Sequence, residues 1–210
     1  MRIDKIVVGQ LDVNCYLVSD ESSSEAIIID PGDEFERISD LIDSKGIKPE
    51  YIVFTHAHYD HVCAARELKD KYGAIVIMHD NELTIYNLTR ELCISWGYEP
   101  DDFPPPDRTV KDGDDISAGK TVLKVIHSPG HTPGSICLYG GETLFTGDTL
   151  FAGSAGRTDL PGGNTEELFR SLKKIISLPP DTEVMCGHGD ETTIAREIRH
   201  NQFVHHAKYA

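Results

Sequence analysis

The chain has 210 residues, 39% hydrophobic and 26% charged, an ordinary globular composition able to bury a sizeable core. Its formal net charge of -15, without a basic cluster large enough to track a phosphate backbone, argues against a nucleic-acid partner. No apolar run approaches the ~18 residues that cross a bilayer, and no secretion signal opens the chain, so a soluble cytoplasmic protein without a membrane partner is expected.

Short β-rich runs come first: Ile6-Val7-Val8, Cys15 to Val18, and Ala26 to Ile29, the last stopping at Asp30-Pro31-Gly32. Phe35, Ile38, Leu41 and Ile42 recur at helical spacing over 34–44, and Tyr51-Ile52-Val53-Phe54 reads as a buried strand. A helix over Val62 to Lys71, a strand over Ala74 to Met78 and a helix over Asn81 to Ile94 follow. The Pro-rich stretch Pro100 to Pro106 then interrupts the pattern. Asp115 to His127 and Ser135 to Thr146 read as hairpins with turns at Ala118-Gly119 and Gly140-Gly141. A helix from Thr165 to Ile176, a strand from Glu183 to Cys186 and a last helix from Thr192 to Arg199 close the chain. Both halves pass from strands to mixed strand and helix. The expected class is therefore α/β: an αββα sandwich, two mixed sheets face to face with helices outside, as one domain over 1–210. Cys15, Cys63, Cys93, Cys137 and Cys186 are odd in number and hold no C-x-x-C pair, so reduced, mostly buried thiols are expected.

His56-x-His58-x-Asp60-His61 places three imidazoles and a carboxylate within six positions, directly after a buried strand. Imidazole nitrogen and carboxylate oxygen hold a hydrolytic metal ion while leaving a position for water. The competing reading is an Asp60 helix cap beside exposed histidines. Three more segments each present one ligand-type side chain among small residues: Pro129-Gly130-His131-Thr132-Pro133-Gly134, Thr146-Gly147-Asp148-Thr149 and Cys186-Gly187-His188-Gly189. Each alone reads equally well as a turn. Together with the first motif they point to a metal site. His79, His127, His200, His205 and His206 lack such framing and read as surface or structural residues. His127, just ahead of the His131 loop, is the candidate exception. Cys186 reads as a small buried side chain.

In order, H-x-H-x-D-H, a lone His, a lone Asp and a last lone His resemble the metallo-β-lactamase superfamily over nearly the whole chain. Asp30-Pro31-Gly32 matches its Asp-x-Gly signature. Ser128 to Gly134, Gly147 to Gly153 and Gly156-Arg157-Thr158-Asp159 resemble the glyoxalase II branch, in its short single-domain bacterial form. The resemblance implies two divalent ions, zinc with iron or manganese as alternatives. His56, His58 and His131 would hold one; Asp60, His61 and His188 would hold the other; Asp148 would bridge them. Asp30 would steady a ligand histidine without touching metal, or simply end its strand. The implied chemistry is hydrolysis of a small acyl thioester by hydroxide held between the ions, with Asp60 as the catalytic carboxylate. Arg157 would contact substrate, where longer enzymes use a lysine toward glutathione.

The resemblance thins beyond His188. The C-terminal helical domain of glyoxalase II is not expected here, and Asp159 and Asp190 stand where tyrosines line its pocket, so glutathione recognition is not implied. Persulfide dioxygenases of the same superfamily use one iron at positions matching His56, His131 and Asp148, and are the nearest alternative. Lactone hydrolysis by the same site is another. Flavodiiron-type reductases carry Glu where His58 stands and append a flavin domain. A metal-binding scaffold is disfavoured by ligands on open loops. No motif sets an oligomeric state.

Overall fold

Six strands form the first sheet in chain order: β1 (Arg2–Val8), β2 (Val13–Ser19), β3 (Glu25–Ile29), β4 (Lys48–Val53), β5 (Ile75–His79) and β6 (Arg108–Val110). The computed structural model from which they are drawn describes residues 1–99, 102–103 and 105–209. Pairing is antiparallel through β1, β2 and β3 and parallel from β3 to β6. Parallel neighbours need crossovers. These are α1 (Phe35–Lys45), then α2 (Tyr59–Val62) with α3 (Ala65–Tyr72), then α4 (Leu83–Ser95).

The second sheet runs β14-β13-β10-β9-β8-β7. Its members are β7 (Asp115–Ala118), β8 (Thr121–His127), β9 (Ile136–Gly140), β10 (Thr143–Gly147), β13 (Glu183–Cys186) and β14 (Thr192–Thr193). β13 lies parallel to β10, and the other pairs are antiparallel. β11 (Leu150–Phe151) and β12 (Ser154–Ala155) make a small ribbon. α5 (Thr165–Ile175), α6 (Ile194–His200) and α7 (Gln202–Tyr209) complete the chain.

Alternation along the strands sorts side chains into three layers. Tyr16, Val18, Ile27, Ile29 and Val53 of the first sheet meet Ile116, Leu123, Val125, Ile136, Leu138 and Phe145 of the second in the middle of the sandwich. The opposite face of the first sheet packs on α1, α3 and α4 through Ile28, Ile52, Ile38, Ile42, Leu68 and Ile85. That of the second packs on α5, α6 and α7 through Leu144, Val184, Leu168, Leu172, Ile194 and Val204. Each such Leu, Ile or Val contributes about 1.5–3 kcal/mol by leaving water. The expected αββα sandwich of two mixed sheets is the fold.

Local chemistry sets the boundaries. α5 starts where the side-chain oxygen Oδ1 of Asn164 accepts from Glu166 N and Glu167 N at 3.0 and 3.1 Å, a cap worth about 1 kcal/mol. The helix expected over Val62 to Lys71 is broken, because Ala64 N donates to Pro31 O instead of continuing α2. The one expected from Asn81 opens as a 3-10 turn over Asp80–Glu82, with His79 Nδ1 accepting from Asn81 N. The helix expected from Thr192 starts two residues later, since Thr192 and Thr193 pair with β13. β6 and α7 were not legible, the first being three residues after the Pro-rich stretch. Of that stretch, Pro100, Asp101 and Pro104 lie outside the described residues. No helix among the described residues is long and apolar enough to cross a membrane, and all five cysteines are free thiols.

Candidate metal centre

The expected ligands all sit just past the carboxyl ends of strands, at one rim of the sandwich. Asp30 follows β3, His56 to His61 follow β4, His131 follows β8, Asp148 follows β10 and His188 follows β13. Loops at that end of α/β sheets are the usual home of ligand sites. The two rims are sewn together: Asn14 Nδ2 donates to Cys186 O and Gly189 O, each at 2.9 Å, and Tyr16 OH donates to Cys186 O at 2.7 Å. The loop bearing His188 thereby docks on β2.

Three ligand groups result, each with its donor atoms within 4.8 Å of one another: His56, His58 and His131; His56, His61 and Asp148; Asp60, His61 and His188. Asp148 lies between the outer two. Its Oδ2 is 3.6 Å from both His131 Nε2 and His188 Nε2, and its Oδ1 is 3.5 Å from His61 Nε2. Across the first group, His58 Nδ1 lies 3.0 Å from His131 Nε2. Nitrogens about 2.0–2.1 Å from a tetrahedral zinc sit roughly 3.3 Å apart, close to these spacings. His56 Nε2, His61 Nε2 and Asp148 Oδ1 are buried without a hydrogen-bond partner. Buried polar atoms are normally satisfied, so these orphans, converging beside the Asp60 carboxylate, fit a centre that holds cations.

The far side of each ring fixes which nitrogen faces inward. His131 Nδ1 contacts Arg157 O at 2.7 Å and His188 Nδ1 contacts Leu11 O at 2.9 Å; a carbonyl only accepts, so both Nδ1 atoms carry the proton. His56 Nδ1 lies 3.2 Å from Thr55 Oγ1. His61 Nδ1 is 3.0 Å from Asp30 Oδ2, a close ion-pair contact rather than an aligned hydrogen bond. Asp30 also accepts from Thr55 N at 2.7 Å and Thr55 Oγ1 at 2.6 Å. It sits in left-handed backbone, φ 51°, which aspartate tolerates better than most residues. Close backbone approach explains two glycines. A Cβ on Gly32 would fall 1.7 Å from Asp60 O, and one on Gly187 would fall 2.3 Å from Asp148 Oδ1.

Charge divides the two outer groups. Burial, with His61 and His131 nearby, pushes His56 well below the ordinary histidine value; burial with His131 brings His58 down to about 3. Burial also lowers His131, against the opposing pull of Asp148. In the other group burial again disfavours the charge on His61, yet Asp148, Asp30 and Asp60 prevail and raise it to about 10. Burial works against the Asp60 carboxylate too, but the bond from His188 and the charge of His61 hold it at about 2.

Arg157 lines the cleft above the ligands, but its guanidinium is clamped by Asp159, with Nε to Oδ1 and Nη2 to Oδ2 both 2.7 Å. Its clearest tie to the centre is the backbone carbonyl on His131. His127 does support the His131 loop: its Nε2 lies 2.9 Å from Pro133 O, and its ring stacks on His79 at 4.0 Å. His205 and His206 bond only to carbonyls of their own helical region. Cys186 is buried, its thiol pushed up to about 12 by burial. Sequence reasoning missed Glu82. Fully buried, it accepts from Ala57 N at 2.9 Å through Oε1, and from Thr132 Oγ1 at 2.8 Å and Gly134 N at 2.7 Å through Oε2. One carboxylate thus staples the His56–His58 loop to the His131 loop. No spacing signal marks a lone Glu at the head of a helix.

The family model of the metallo-beta-lactamase superfamily matches residues 8–188, which includes every ligand candidate. The chain belongs to that superfamily. It is 36% identical to the hydroxyacylglutathione hydrolase GloC of Haemophilus influenzae over 210 residues, covering 97% of this chain and 98% of the relative. It is also 36% identical to the Probable metallo-hydrolase YqgX of Bacillus subtilis over 216 residues, covering 97% and 98%. Among solved structures it is similar to TTHA1623 in a di-iron-bound form, with a TM-score of 0.86 and 39% identity over 95% of this chain and 99% of that one. The chain is a metallo-hydrolase of the superfamily, with a metal-binding His/Asp cluster at its rim.

Proposed function

We propose that this metallo-hydrolase cleaves an acyl thioester, using two divalent ions held by His56, His58 and His131 on one side and by Asp60, His61 and His188 on the other, with Asp148 shared. The observation that carries this reading is the Asp148 carboxylate poised between the two nitrogen groups, its Oδ1 unpartnered and buried like His56 Nε2 and His61 Nε2. Similarity to a hydroxyacylglutathione hydrolase supports a thioester over other acyl compounds. When bound, divalent ions of this kind bring the pKa of water toward ~7 and polarise an acyl oxygen. Asp60, ionised down to about 2, is an acceptor at working pH and orients the attacking water. Asp30 and the carbonyls of Leu11 and Arg157 hold the rings against rotation, so the site is ordered before substrate arrives. The acyl–sulfur bond breaks to leave a carboxylate and a thiol, and a thiolate needs little acid assistance to depart. Zinc suits the nitrogen-rich donor set, with iron as the alternative that the di-iron relative favours. A reducing, cytoplasmic setting agrees with the five free thiols.

Metal analysis of the purified protein, beside assays with thioesters and with glutathione persulfide, tests this. About two ions per chain and thioester cleavage are expected. One iron per chain, with oxygen uptake and no thioester cleavage, would replace the hydrolase with a persulfide dioxygenase.

A further inference from the structure

The cleft over the metal centre encloses about 420 Å³, within the range of small-molecule sites. Its floor is polar and its walls are mostly apolar: Leu11, Ile85, Leu88, Leu92, Leu160 and Pro161 surround the ligand groups, with Tyr59, Thr89 and Arg157 as the polar exceptions. Ile85, Leu88 and Leu92 occupy positions i, i+3 and i+7 of α4, so they form one stripe. The helix already has a buried side, where Tyr86 and Cys93 join the core of the first sheet. Ile85 is buried with them, so the part of the stripe surplus to folding is Leu88 and Leu92. Leu11, Leu88 and Leu92 are 50%, 45% and 45% exposed, which leaves contiguous apolar surface beside a reactive centre. Thr89, between the leucines, gives its hydroxyl to Ala57 O at 2.6 Å and so contributes no polar anchor.

Charge points the same way. Among the described residues lining the cleft, Arg157 is the one Arg or Lys, and Asp159 pairs with one edge of its guanidinium through two bonds. The formal charge of -15 further repels an anionic substrate half. Resting on the thioesterase reading above, we infer that the preferred substrate carries an apolar, uncharged acyl group of several carbons, seated on the α4 stripe, rather than a polar acyl group on an anionic thiol. The polar ends of the substrate meet the ligand floor; the hydrocarbon is held by burial alone.

Thioesters of uncharged N-acetylcysteamine with acetyl, butanoyl, hexanoyl and octanoyl groups vary only the acyl chain. With the metal-loaded protein, kcat/KM should rise roughly fourfold per added methylene until the cleft is filled, the gain expected from burying one CH₂. S-lactoylglutathione should fall below the hexanoyl compound. The double variant Leu88→Asp, Leu92→Asp should cut the hexanoyl-to-acetyl ratio at least tenfold, while Val122→Asp, exposed on β8 of the second sheet, should leave that ratio unchanged. A flat chain-length profile, or a preference for S-lactoylglutathione, overturns the inference and leaves thioester hydrolysis standing. If no thioester is cleaved, the function reading fails instead, and titration with non-hydrolysable methyl and hexyl ketone analogues decides the cleft. Tighter hexyl binding, lost in the double variant, upholds it; equal affinities overturn it.

Discussion

The two nitrogen groups of the candidate metal centre flank Asp148 and sit on the same rim, yet they are built oppositely. His56, His58 and His131 are neutral imidazoles, kept so by burial and by one another, and the residue that aligns their loops is Glu82, which touches none of the rings. Asp60, His61 and His188 are steeped in carboxylate, and Asp30 contacts His61 directly. The first group offers a cation three lone pairs. The second offers it negative charge, but with a proton on His61 to displace. A ligand list conceals this difference, because both groups satisfy the same metal chemistry.

The sharpest way to break the comparison is at the shared residue. Asp148→Ala should lower turnover on the order of a thousandfold or more and remove both ions, whereas His58→Ala should abolish turnover while costing chiefly the ion of its own group. Metal content and steady-state rates on the purified variants check this. Full activity in either would reject a two-ion centre.

Next in size is Asp30→Asn. Asparagine tolerates the same left-handed backbone, so the change tests the carboxylate on His61 rather than the turn. Outer partners of this kind are worth about 10- to 100-fold in metal affinity. That loss should fall chiefly on the Asp60, His61, His188 ion, with a smaller part reaching the first group through Thr55, which donates to Asp30 and faces His56 Nδ1. Equal weakening of both ions would show that the groups are not independently supported.

pH separates the groups without mutation. His61 is raised to about 10, so below that value a cation must displace its proton, and affinity there should fall about tenfold for each pH unit lost. His58 is neutral above about 3, so the first group should hold its ion unchanged from pH 8 to 6. Calorimetric titration in two buffers of different ionisation enthalpy reads proton release directly: at least one proton for the second ion, since against burial the bond to Asp60 raises His188 as well, and fewer for the first.

What the sequence disclosed follows the same division. His56, His58, Asp60, His61, His131, Asp148 and His188 were legible because each is a scarce residue type in a glycine-framed or tightly spaced setting, and Asp30 because it ends an apolar strand. The sandwich was legible from periodicity, and hairpin turns such as Gly141-Glu142, with φ of 55° and 67°, fall within a residue of the expected place. The partners that make the centre work left no such trace. Leu11 and Arg157 act through backbone carbonyls, which every residue has. The leucines of α4 look like any amphipathic helix until their water-facing side is seen above the ligands. Glu82 looks like a surface residue among Asp80, Asn81 and Glu82, and only the fold turns it inward.

Glu82 supplies the smallest effect and the most specific one. Burial pushes its carboxyl up to about 7, although bonds from Ala57, Thr132 and Gly134 pull the other way; an unfolded chain would titrate it near ~4.3. A folded-state value above the unfolded one means that the unfolded chain ionises first. The associated stability is therefore complete below ~4.3 and is lost as pH rises through about 7, up to about 4 kcal/mol. Glu82→Gln keeps the shape and removes the titration. Its stability relative to the parent should improve as pH rises from 4.5 to 8, even though its amide must face a donor that the carboxylate had accepted, at about 1–3 kcal/mol. Denaturant unfolding of both proteins across that range measures the difference. A constant gap would mean that Glu82 stays ionised throughout, and the staple over the first group would then be a charge held at the same cost as those of the second.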